Sequence, residues 1–195
     1  GLLGFGTGGV TNIGADSYED PDELMTVINE FVRGLVAGYE KCWNALEKAL
    51  AAKDIRFPTS QSLTDKQQMW VDDYYTERVH PLLTPLALDI SHPFPFISND
   101  SLNIAVKLRR KDGEILYARV KVPVGILPRF VKIPTEGNRR DFLPLEEMIK
   151  SHMGALFPDL EVIGSYMFRI TRNADVKVTI DEACDLMSAV EASLD

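Results

Sequence analysis

The spacing of apolar residues changes once along this 195-residue chain, and that change limits what the chain can fold into. From Leu24 onward, Ile28, Phe31, Leu35, Tyr39, Cys42, Leu46 and Leu50 recur every three or four positions. That spacing lines one face of an α-helix. From Ile104 onward the period is two: Ile104, Val106 and Leu108 alternate with Ala105, Lys107 and Arg109. Alternation of this kind belongs to a half-buried strand. The pattern therefore predicts an α+β protein, with a partial helical bundle followed by a domain of antiparallel strands and two helices.

Local signals set the expected boundaries. Asp20 can cap the first helix, Pro21 suits its first position, and Glu23 completes a capping box. The stripe runs to about Lys53, which makes a helix roughly 50 Å long. A stripe of that length needs partners to cover it. Thr64 and Gln67 form a second capping box, opening a helix with Trp70, Val71, Tyr74, Tyr75 and Val79 on its buried side. Pro81 ends it, because the residue before a proline avoids helical geometry. Two helices make an incomplete bundle. Either an upstream helix is missing, or these helices dock on the later residues of the chain. The division expected is a flexible glycine-rich end over 1–19, a helical domain over 20–88 and an α+β domain over 89–195.

Between the two patterns lies a connector with prolines at 81, 85, 93 and 95. Beyond it, Asp112-Gly113 turns the chain back through Leu116, Ala118, Val120 and Val122, a hairpin with one apolar face. The runs "RFVKIP" and "DFLP" read as short strands. A single helix is expected over "PLEEMIKSHMGALF", opened by Pro144 and closed before Pro158. "VIGSYMFRITR" reads as a strand with Tyr166, Phe168 and Ile170 on one face. Thr179 and Glu182 cap a last helix carrying Ala183, Leu186, Met187, Val190 and Leu194.

Several function classes are excluded or weakened. Gly4, Gly6 and Gly9 in "GFGTGG" fit a dinucleotide-binding fingerprint, but too few residues precede them for a buried strand, and no helical run comes after. The match reads as an accident of a glycine-rich end. No apolar run reaches the length of a membrane span. Cys42 and Cys184 form no C-x-x-C and read as buried thiols of a reducing cytoplasm. His80, His92 and His152 lie outside metal-ligand spacing of one another and of cysteine, so no zinc signature exists. His152 reads as a helix-end residue suited to the dipole there. Asp72–Asp73 and Glu146–Glu147 are adjacent on helices and point apart, which reads as solvated faces.

Net charge is −8, but it is unevenly spread. Residues 107–140 carry ten basic and three acidic side chains, between flanks with seven basic against fifteen acidic and four against eleven. On the hairpin, Lys107, Arg109, Arg119 and Lys121 occupy the face opposite the apolar one. These four cations are the candidate site. The plain reading is a solvated sheet face or a rim for an acidic partner. The sharper one is a surface for a phosphate chain, since lysine and arginine neutralise repeated anionic charge whatever its sequence. Only Tyr117 interleaves with them, so base stacking and specific nucleic-acid binding are not expected.

The strings "LLTPLALDISHPFPFISNDSLNIAV", "YARVKVP", "LPRFVKIP", "FLPLEEMIKSHMGALFP" and "YMFRITRNADVKV" resemble, in order and spacing, the middle of the bacterial polyphosphate kinase family. The resemblance is dense from about Leu83 to Val178 and weaker from Asp20 to Leu82. It implies an enzyme that moves the terminal phosphate of ATP reversibly onto polyphosphate through a phosphohistidine, with magnesium. It also implies that this chain is the end of the helical domain plus the head domain. The phosphorylated histidine and the ATP-contacting residues of such kinases have no counterpart here, and His92, although in a family-like string, is not at that histidine's position. No catalytic, cofactor-binding or metal-binding residue is therefore carried over. ATP and Mg2+ are expected in the parent enzyme and not in this piece, which is expected to be inactive alone. The resemblance further implies a cytoplasmic enzyme, membrane-peripheral at most. Its partners would be the remaining kinase domains, a homo-oligomer formed through the head domain, and polyphosphate. The alternatives are a stand-alone polyanion-binding module and a structural dimerisation module.

Overall fold

A computed structural model describes residues 21–88 and 96–170. The glycine-rich start, His92, Pro93, Pro95, the "TRNAD" run, Cys184 and the expected helix over 179–194 lie outside the described residues. The chain divides into two compact units at Leu50 and Ala51. In the first, α1 (Pro21–Ala51) is a single helix of 31 residues. Its apolar side chains are solvent-facing, with Phe31 62% and Tyr39 71% exposed. Cys42, expected to be buried, is exposed because it lies on the same stripe.

The second unit is built on two sheets. The larger comprises β2 (Leu86–Leu88), β3 (Asn103–Arg109), β4 (Ile115–Lys121) and β7 (Glu161–Phe168), in the order β2-β4-β3-β7. All its pairs are antiparallel. The hairpin forms as the alternation requires, with Val106 opposite Ala118 and Lys107 opposite Tyr117. Gly113 takes φ 93° at its turn, a conformation that favours glycine. The smaller sheet joins β1 (Ile55–Arg56), β6 (Arg140–Pro144) and β5 (Phe130–Ile133), in that order. Its β5–β6 pair is antiparallel, and only the two-residue pairing of β1 with β6 is parallel.

Helix α2 (Asp65–Tyr74) starts at the Thr64–Gln67 capping box, with both reciprocal bonds present. A π-helical turn over Tyr75–Val79 and a 3-10 turn over His80–Leu82 extend it before Leu83 becomes extended. Val71, Tyr75 and Val79 enter the same core as Ile104, Val106, Val120, Leu143 and Ile149. This helix docks on later residues of the chain, one of the two outcomes expected for it. The single helix expected after Pro144 is broken. It forms α3 (Leu145–Ser151) and α4 (Met153–Leu156), with His152 between them at φ −107° and ψ 13°. The backbone N–H of His152 bonds to the carbonyl of Ile149 and its ring bonds back to Met148, which closes α3 one turn early. The connector holds more structure than its prolines suggest, since Leu86–Leu88 is an edge strand on β4.

Candidate functional site

The four candidate cations share one face of the larger sheet, as their alternation predicts, but their surroundings differ. Arg109 stands at the turn end of β3, where its guanidinium donates to Glu161 at 3.0 Å. Both side chains are exposed, so this pair adds little stability. Lys121 ends β4 with Nζ 3.4 Å from the Ser98 hydroxyl. Lys107 is half-buried at mid-strand, between Tyr117 on β4 and Gly164 on β7. Among the described residues neither lysine meets a carboxylate.

Arg119 is the unusual member. It lies at the centre of the sheet, with Leu86 on one side and Ala105 on the other, and only 7% of it is exposed. Its terminal nitrogen donates to the Phe96 carbonyl at 3.2 Å, while its Nε has no partner. Burial pushes its pKa down from the usual arginine value. Asn103 is the diagonal neighbour across β3 and β4. It is fully buried, donates to Ser101, and leaves its Oδ1 without a partner. A buried cation without a counter-charge is costly. The cationic face is thus a built, partly desolvated surface. Periodicity gives no sign that Arg119 reaches Phe96, because that contact joins residues 23 apart.

Tyr166 belongs to the same face, opposite Ala105. Its ring lies over Gly164, where a Cβ would come within 2.8 Å of the Tyr166 ring. Glycine at 164, the residue opposite Lys107, leaves the space that this ring occupies. No local pattern announces this aromatic neighbour, because it comes from a strand more than 55 residues beyond Lys107.

A second constellation lies at the edge of the core of the same unit. The His152 ring stacks on Tyr75 at 4.1 Å and 15°, with Nδ1 2.8 Å from the Met148 carbonyl and Nε2 3.0 Å from the Asp72 carboxylate. Both ring nitrogens are engaged, which suits a strut between helices and not a nucleophile. Asp72 is accordingly more than a solvated residue, and it also accepts from Gln68 at 2.6 Å. Glu146 departs further from expectation. It is 5% exposed and receives two N–H groups of Arg129, at 3.0 and 2.7 Å. Glu147 pairs with Lys150 in the expected outward manner.

A cleft of about 350 Å³ opens beside the N-terminus of α2, lined by residues that include Thr64, Lys66, Thr135 and Arg139. Behind it, Gln67 Nε2 donates to the Pro134 carbonyl at 2.9 Å and to Asp141 at 3.2 Å, and Arg139 pairs with the same carboxylate at 3.0 Å. Lys66 and Arg139 are there offset by Glu136 and Asp141. The cleft is electrically balanced, unlike the sheet face.

Residues 66–195 match the profile of the polyphosphate kinase middle domain. The chain belongs to the polyphosphate kinase family. A polyphosphate kinase from Parasynechococcus marenigrum is 39% identical over 193 residues, covering 95% of this chain and 27% of that protein. Polyphosphate kinase 1 from Chlorobaculum tepidum is 38% identical over 183 residues, covering 90% and 26%. Among solved structures, a polyphosphate kinase from Porphyromonas gingivalis superposes with a TM-score of 0.72 at 28% identity, covering 80% of this chain and 25% of that one. The chain thus spans about a quarter of the kinases it matches. Among the described residues, no helix is long and apolar enough to cross a membrane.

Proposed function

We propose that this chain is the non-catalytic middle part of a polyphosphate kinase, an enzyme that transfers the terminal phosphate of ATP reversibly to polyphosphate through a phosphohistidine. Its role is assembly of the kinase, including dimerisation, and framing of the path taken by the polyphosphate chain. The observation that carries this reading is the cationic face. Lys107 and Lys121 lack carboxylate partners among the described residues, and the buried Arg119 lacks a counter-ion between them. A polyanion laid across the sheet would be held by charge, without base-reading contacts.

The residues described do not fit Mg2+. Asp141 and Glu146 are the buried carboxylates with an unpartnered oxygen, and each is already paired with an arginine. Such a cationic setting disfavours a divalent metal. ATP, Mg2+ and the phosphohistidine are assigned to other parts of the kinase. The remaining domains of the kinase are then this chain's partners.

The test is a titration of the chain with polyphosphate at two salt concentrations, alongside incubation with γ-labelled ATP. The expected result is binding that weakens as salt rises and is reduced in Lys107→Gln/Lys121→Gln, with no label on the chain. Salt-independent binding, or binding that the double variant leaves intact, rules out the cationic face. Label on the chain rules out the non-catalytic role.

A further inference from the structure

The smaller sheet has an outer face with no part in the cationic surface of the larger one. Val131, Ile133 and Leu143 point from β5 and β6 into the core. By alternation, Phe130 and Lys132 on β5, with Arg140 and Phe142 on β6, point the other way. Lys132 lies opposite Phe142, and Arg140 opposite Ile55. Phe57, just beyond β1, completes a group of three rings: it meets Phe130 edge-on at 5.3 Å and Phe142 at 6.2 Å. Arg129 lies 5.6 Å from the centre of the Phe130 ring, and its charge is already taken by the buried Glu146. Phe130 is 40% exposed. Lys132 and Arg140 are exposed and meet no carboxylate among the described residues.

We propose that this aromatic and cationic face is a docking surface for an acidic, apolar-centred surface on another domain of the same kinase. This rests on the reading of the chain as part of such a kinase. Clustered rings with a cationic rim have the composition of an interface centre, where aromatic residues are buried by a partner and charges lie around them. The chemistry selects the occupant. A phosphate chain gains nothing from three phenylalanine rings. A second copy presenting the same face two-fold would set Lys132 and Arg140 against their own equivalents, and like charges so placed repel. A surface bearing carboxylates around an apolar centre satisfies both the rings and the cations. Because this chain spans about a quarter of the kinases it matches, a complete kinase has ample other surface to supply it.

The experiment uses the complete kinase polypeptide with the photo-cross-linking residue p-benzoylphenylalanine in place of Phe130. The expected cross-link joins it to an acidic segment of another domain of the same polypeptide. A cross-link to the equivalent face of a second copy, a cross-link to residues 1–50 or 171–195 of this chain, or no cross-link overturns the proposal. As a second readout, hydroxyl-radical labelling of Phe57, Phe130 and Phe142 is expected to rise several-fold in Lys132→Glu/Arg140→Glu relative to the unaltered kinase. Equal labelling in both also overturns it. Synthesis of polyphosphate by the unaltered polypeptide is measured in parallel. If it persists while the face proves open, the docking surface fails and the wider reading stands; if it is absent, the wider reading itself fails.

Discussion

His152 Nε2 lies 3.0 Å from Asp72 Oδ1, joining the end of α3 to the last turn of α2 across 80 residues of sequence. The exposed carboxylate makes the contact with Asp72 itself a minor contributor. The larger contribution comes from the ring, stacked on Tyr75 and hydrogen-bonded to the Met148 carbonyl. His152→Ala is expected to destabilise the second unit by about 2 kcal/mol, from the lost stack and bonds together. His152→Phe keeps the stack and is expected to lose about half as much. Chemical denaturation of both variants measures this, and equal losses would show that the stack contributes nothing.

Tyr75 supplies a pH dependence. Its hydroxyl is buried without a partner, and desolvation raises its pKa from 10.0 to about 12. The folded state therefore holds the phenol proton more tightly than the unfolded state. Stability from this group is complete below pH 10 and is lost as pH rises toward about 12. Melting temperature should fall over that window, and Tyr75→Phe should flatten the fall. At neutral pH the same variant should be neutral or slightly stabilising, because it removes an unsatisfied polar atom. Thermal melts spanning both sides of that window, with phenolate absorbance, read both effects.

Gln67 holds three elements together through one side chain. Its Oε1 accepts from the Thr64 backbone, while its Nε2 donates to the Pro134 carbonyl and to Asp141. Gln67→Leu fills similar space but removes these bonds and leaves the buried Asp141 with fewer donors. A loss of about 2–4 kcal/mol is expected, larger than the ~1 kcal/mol of Thr64→Ala, which removes a cap alone. A loss for Gln67→Leu no larger than that for Thr64→Ala would show that the long-range bonds are not stabilising.

How much of this was legible in the sequence depends on the range of each interaction. The Thr64–Gln67 box, the Asp112-Gly113 turn and the two-residue period of β3 and β4 depend on neighbours along the chain, and all form as the local pattern requires. The break at His152 does not show, because the apolar spacing continues through Met153 and only the ring's contacts with Met148 and Asp72 mark it. Glu146 reads as solvated because its partner Arg129 lies 17 residues earlier. The cationic face is half legible: alternation places its four members on one side, but burial of Arg119 depends on Phe96, on another segment. The ring group of Phe57, Phe130 and Phe142 is invisible to periodicity, since it is assembled from three separate strands and their ends.

Arg119 offers a test that separates stability from binding. Its buried guanidinium is incompletely hydrogen-bonded, since Nε stays unpartnered while Nη1 donates to the Phe96 carbonyl. Replacing a poorly compensated buried charge by an apolar side chain of similar length is often neutral or stabilising. Arg119→Met is therefore expected to melt at the same temperature as the unaltered chain or higher. The same change removes the central cation of the face, so salt-sensitive polyphosphate binding should weaken while the fold is kept. Arg119→Lys keeps the charge but loses the planar fork that reaches the Phe96 carbonyl, and should melt lower while retaining part of the binding. If Arg119→Met both destabilised the chain and left polyphosphate binding intact, Arg119 would be a structural residue with no part in binding.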